Sequence, residues 1–232
     1  AADIQRLCIS EGVTLYNIQP PCGSNTYVFD TPQEYVLIDT GYAIFADEMF
    51  RVLAQLLPDW DMREKRVFIT HADVDHCGLL TKLENVRIYM NKKSADSLRR
   101  QSEGIPDYRE NSELSFGYSK LSRIISGYTP PDADKITLLD RDTPEEHGEL
   151  LHIADFSVAD MLFKVYEGSG GHLNGEMVFV SRENGIIFTG DNLVNISGFS
   201  PERAEFNSLA PYLMRSVNVD SVRSEEHTSE LQ

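Results

Sequence analysis

The nine residues "THADVDHCG", positions 70–78, set two histidines and two aspartates within the six positions from His71 to His76. The run "KRVFIT" at 65–70, which predicts a buried strand, leads straight into them through Thr70. A chain that ends a buried strand in this many imidazoles and carboxylates needs a fold in which they can converge on one point. Asp and His also serve as turn formers and caps, but four of them in one turn exceed what a turn requires. Imidazole with carboxylate suits zinc, iron or manganese, and one such loop can serve two adjacent ions.

The flanking sequence alternates between strand and helix patterns. "VTLYNI" at 13–18, "NTYVF" at 25–29 and "EYVLID" at 34–39 read as strands separated by the turn-rich "QPPCGS" and "DTPQ". Phe45, Met49, Leu53 and Leu56 recur at helical spacing and stop at Pro58. "CGLLTKLE" reads as a helix start and "VRIYM" at 86–90 as a strand. Helical patterns follow around 92–101 and 112–126, where Leu114, Tyr118, Leu121 and Ile125 share a face. "KITLL", "ADMLFKVYE", "EMVFVS" and "GIIFTG" read as strands, the last two joined by a hairpin turn at "RENG". A helical stretch near 206–217 ends the informative sequence. With no internal repeat and no linker, one domain of mixed α and β layers is the simplest organisation.

Two later stretches belong with the first loop. "GSGGHLNGE" carries His172 in a glycine-rich turn before a strand, and "IIFTGDNL" puts Asp191 at a strand end. Taken in order, "LIDTG" at 37–41, "THADVDH" at 70–76, "GHLNG" at 171–175 and "TGD" at 189–191 resemble the motifs of the metallo-β-lactamase superfamily. The resemblance spans about residues 13–195. It implies an α+β fold, a four-layer αβ/βα sandwich. It also implies two divalent metal ions, zinc first with iron or manganese as alternatives. His71, Asp73 and His172 would face one ion, Asp75 and His76 the other, and Asp191 would bridge them. Asp39 would support the site from behind.

The sequence departs from the family pattern in two places. Asp73 stands where the family carries a second histidine, and a carboxylate there is similar to the glutamate of flavodiiron proteins. The family's last ligand histidine, expected beyond Asp191, is not found. The expectation is therefore a domain over residues 1–222 that is cut short at its C-terminus. Residues 223–232, "RSEEHTSELQ", lack apolar periodicity and resemble a translated sequencing-library adapter, which removes His227 from the ligand candidates.

Charge and cysteine content narrow the function. A formal net charge of −16 argues against nucleic acid as the partner, since phosphate recognition needs a basic face. No apolar run approaches the length of a membrane span, and "AADIQRLCIS" has no signal-peptide pattern, although the first residue is not Met. Cys8, Cys22 and Cys77 are odd in number and widely spaced, so a cytoplasmic location is expected. His147 and His152 fall in a polar region read as loop. Cys77 is read as a small packed residue, and Tyr108, Tyr118 and Tyr128 as core or surface residues.

By its resemblance the chain is a metal-dependent hydrolase of a small-molecule ester, lactone, amide or thioester, acting through a metal-bound hydroxide. Asp75 is the catalytic residue, orienting the nucleophile or taking its proton. The alternatives are a non-haem iron oxidoreductase related to flavodiiron proteins, suggested by Asp73, and a non-catalytic metal-binding module.

Overall fold

The structure, a computed structural model, describes residues 2–21 and 23–192. The first sheet has seven strands in sequence order: β1 (Asp3–Ser10), β2 (Val13–Gln19), β3 (Thr26–Asp30), β4 (Tyr35–Ile38), β5 (Lys65–Phe68), β6 (Val86–Met90) and β7 (Ile136–Leu138). Strands β1 to β4 run antiparallel, whereas β4 to β7 pair in parallel. Parallel neighbours need crossovers. Helix α1 (Ala46–Leu56) lies between β4 and β5, and α2 (Lys92–Glu103) and α3 (Glu113–Ser126) lie between β6 and β7. All four residues of β4 are buried, as expected where a sheet is covered on both faces.

The second sheet is an antiparallel stack in the order β12-β11-β10-β9-β8. Its strands are β8 (Glu145–His147), β9 (Leu150–Val158), β10 (Met161–Glu167), β11 (Met177–Ser181) and β12 (Ile186–Phe188). Apolar side chains join the sheets face to face. Phe68 of β5 stacks on Phe156 of β9 with ring centroids 3.8 Å apart, and Phe29 of β3 meets Phe163 of β10 edge-on at 5.9 Å.

Several expectations meet corrections. β1 pairs along β2 although almost all of it is exposed, so it carries no alternation to read. "CGLLTKLE" forms successive turns and no helix, because Gly78 is pinned against the 41–43 backbone, its N–H donating to Gly41 O at 2.8 Å. His147 and His152 lie in β8 and β9 and not in a loop. Asp155 on the same strand faces His152 Nε2 at 2.9 Å, a polar contact that breaks the apolar pattern. Helix α3 forms as expected, yet Leu114, Tyr118, Leu121 and Ile125 are exposed. Tyr128 is buried, while Tyr108 is half-exposed. Residues 206–217 and 223–232 lie outside the described residues.

Candidate metal centre

The parallel strands of the first sheet point their carboxyl ends at one edge of the seam, where ligands bind in sheets of this kind. Asp39 follows β4, and His71, Asp73, Asp75 and His76 follow β5. From the second sheet, the β10–β11 connection brings His172 and the end of β12 brings Asp191. Each sheet thus supplies part of one cluster.

Asp39 organises the first loop. Its backbone is left-handed, with φ 56°, a conformation that non-glycine residues seldom adopt outside constrained sites. The carboxylate accepts hydrogen bonds from Thr70 N, Thr70 Oγ1 and His76 Nδ1, all at 2.8 Å. Since the Thr70 hydroxyl donates to Asp39, it accepts from His71 Nδ1 at 3.0 Å. Both imidazoles therefore carry a proton on Nδ1 and turn Nε2 toward the seam, as a partner behind a ligating histidine arranges. Thr40 closes the loop, its N–H and hydroxyl both donating to His76 O.

Two groups of donors could hold an ion: His71, Asp73 and His172, and His71, His76 and Asp191, each with ligand atoms within 4.8 Å of one another. Asp191 Oδ2 lies 3.4 Å from His172 Nε2 and 3.9 Å from His71 Nε2, while its Oδ1 lies 3.3 Å from His76 Nε2. Its two oxygens thus face different histidines. Donors around a tetrahedral ion at ~2.1 Å stand roughly 3.4 Å apart, close to these spacings. His71 Nε2 is buried and makes no hydrogen bond among the described residues, an arrangement that suits a lone pair reserved for a metal. Asp75 belongs to neither group, but its Oδ2 is 3.7 Å from His76 Nε2.

Crowding shifts the titration of these groups. Burial, and then the charge of His76, hold His71 well below the usual imidazole range. Burial also opposes the charged form of His76, yet Asp75, Asp39 and Asp191 together hold it well above that range. Burial pushes Asp75 up to about 6, and Asp73 and Asp191 add to the effect. The cluster holds excess negative charge that a cation would neutralise.

Two participants escape the sequence reading. Arg109 forms a bidentate pair with Asp73, Nη1 to Oδ2 and Nη2 to Oδ1, each at 2.7 Å. Glu176, inside the glycine-rich turn, is buried and accepts from Asp191 N at 3.0 Å through Oε1, and burial pushes its carboxyl up to about 7. No spacing ties Arg109 to residue 73. Glu176 is visible within "GHLNGE", but nothing in the sequence tells its side chain from that of a surface glutamate.

A two-sheet α+β sandwich with histidines and carboxylates gathered at one edge of its seam defines a metallohydrolase-like class. Within it, the chain belongs to the metallo-beta-lactamase superfamily, whose profile matches residues 19–217. Among curated relatives, it is 26% identical over 172 residues to the atrochrysone carboxyl ACP thioesterase of Aspergillus terreus, covering 74% of this chain and 39% of that protein. It is 25% identical over 172 residues to the lactamase-like protein ptaB of Pestalotiopsis fici, covering 74% and 40%. The chain thus spans about two fifths of the length of these relatives. Among solved structures, AidC, a dizinc quorum-quenching lactonase, superposes with a TM-score of 0.58 at 15% identity, covering 99% of this chain and 85% of that one. A metallo-beta-lactamase family protein from Thermus thermophilus gives 0.50 at 19% identity, covering 97% and 81%. These likenesses carry the fold.

Proposed function

We propose that the chain is a metal-dependent hydrolase of a small-molecule ester, lactone, amide or thioester. The observation that carries this reading is the buried Nε2 of His71, without a hydrogen bond among the described residues, within a ring of imidazoles and carboxylates drawn from both sheets. In this reading His71, Asp73 and His172 hold one ion, Asp75 and His76 hold the second, and Asp191 reaches both. Zinc is the ion proposed. When bound, such ions supply a Lewis acid for the substrate carbonyl and lower the pKa of water. The side chains supply the rest. Asp39 and Thr70 hold the two imidazoles in one tautomer, Glu176 fixes the backbone of Asp191, and Asp75 orients the nucleophile or takes its proton. The thioesterase and lactonase named among the similar proteins act at an acyl carbonyl, which supports this reaction class. A cytoplasmic setting belongs to the same proposal and rests on the odd number and wide spacing of Cys8, Cys22 and Cys77.

The test is a panel of acyl thioesters, lactones, esters and β-lactams offered to zinc-, manganese- and iron-loaded protein. The expected result is release of acid from at least one member, lost on chelation and in His71→Ala. Oxygen consumption with a reductant, and no turnover across the panel, would replace this reading with the iron oxidoreductase.

A further inference from the structure

The structure assigns Arg109 a positioning role: it restricts Asp73 to one free coordinating lone pair, cancels its charge, and so sets which metal ion the His71–Asp73–His172 group prefers. This rests on the reading of the cluster as a metal site. A carboxylate oxygen accepts at two lone-pair sites. Asp73 Oδ1 accepts from Val74 N at 2.7 Å and from Arg109 Nη2 at 2.7 Å, which fills it. Oδ2 accepts from Arg109 Nη1 at 2.7 Å and, among the described residues, keeps one site, on the atom that lies 4.0 Å from His172 Nε2. Asp73 can therefore meet an ion only through one lone pair of Oδ2.

The guanidinium stays charged at any working pH, so the pair as a whole is neutral. Two imidazoles and a compensated carboxylate then present no net charge to an ion. Asp75 and Asp191 face only imidazoles and form no ion pair with an arginine or lysine among the described residues. A site of imidazoles and one shared oxygen suits zinc, whereas a free, chelating carboxylate would raise the affinity for manganese.

Arg109 is held in place by its surroundings. Its side chain is 17% exposed and that of Asp73 11%. The turn carrying it is braced from two helices. Asp107 accepts from Ser97 Oγ and Gln101 Nε2 of α2, Glu110 Oε2 accepts from Asp107 N, and Glu110 Oε1 pairs with Arg123 of α3 at 2.6 Å. Gln101 also donates to Ala72 O, inside the metal loop. A bidentate fork fixed this way orients a carboxylate as the outer partners of a ligand do.

The experiment measures zinc and manganese dissociation constants, by competition with a chelating dye, for the wild type, Arg109→Met and Arg109→Lys. Folding is checked by circular dichroism. The expected result is a shift of the Zn/Mn affinity ratio toward manganese by about 10–100-fold in Arg109→Met, the range for removing a ligand's outer partner. Metal-induced thermal stabilisation should also be larger there than in the wild type, because the ion compensates a carboxylate left bare. Arg109→Lys keeps the charge and loses the fork, so its ratio should lie between the two, and it carries the test if Arg109→Met does not fold. An unchanged ratio in folded variants that bind both metals would overturn the inference and leave the metal site standing. Failure of the wild type to bind either metal would overturn the metal site and the inference together.

Discussion

Asp39 shows how one residue can hold a site together without being among its donors. It sits in a left-handed backbone conformation that costs roughly 1–3 kcal/mol for a non-glycine residue, and its carboxylate takes three donors from the loop opposite. An amide at this position must turn one N–H₂ toward a donor. Asp39→Asn should therefore weaken metal binding by about 10–100-fold and cost on the order of 1–3 kcal/mol in stability. Chelator competition and urea unfolding check the two numbers, and unchanged affinity would mean that Asp39 does not set the histidine tautomers. His71, Asp73, Asp75 and His76 are legible in the sequence because strand-end geometry compresses them into one turn. Arg109 is not, because its partner lies 36 residues away and the ion pair exists only once α2 and α3 have packed.

At the scale of elements, the strands with clear apolar runs are legible, and so is the hairpin at Arg182–Gly185, where Gly185 takes φ 64°. β9 is hidden because His152 and Asp155 interrupt its apolar pattern. Their contacts with each other, Glu145 and Arg141 settle the polar groups that make the segment read as loop. The segment after His76 departs from its helical pattern for another reason: tertiary contact overrides periodicity there. A Cβ on Gly78 would stand 2.2 Å from Gly41 O and 2.3 Å from Ala43 N, both backbone atoms that cannot move aside cheaply. Gly78→Ala should destabilise by at least ~2 kcal/mol, within the usual range for overpacking. The contrast is Gly117 in α3, where an added Cβ meets nothing within 4 Å. Gly117→Ala should stabilise by about 0.5–1 kcal/mol. Equal effects of the two substitutions in denaturant titrations would contradict this packing account.

For the whole molecule, the cluster lies at the seam of the two sheets, with His71 on one side and His172 and Asp191 on the other. An ion held there would tie the sheets together, and without it the carboxylates repel across the seam. A ligand at a hundredfold excess over its Kd adds about 2.7 kcal/mol. For a chain of this size each kcal/mol moves Tm by about 2–4 °C. Chelation should therefore lower Tm by roughly 5–10 °C, and re-addition of zinc should restore it. The central claim is that this cluster binds metal, and the most direct measurement is the elemental content of protein purified without added metal. The wild type should carry up to two equivalents of transition metal per chain, with zinc predominant. His71→Ala, which removes the donor shared by the two groups, and Asp191→Ala, which removes the carboxylate whose two oxygens face different histidines, should carry much less while remaining folded. Wild-type protein free of metal, or full metal content in both variants, would contradict the account.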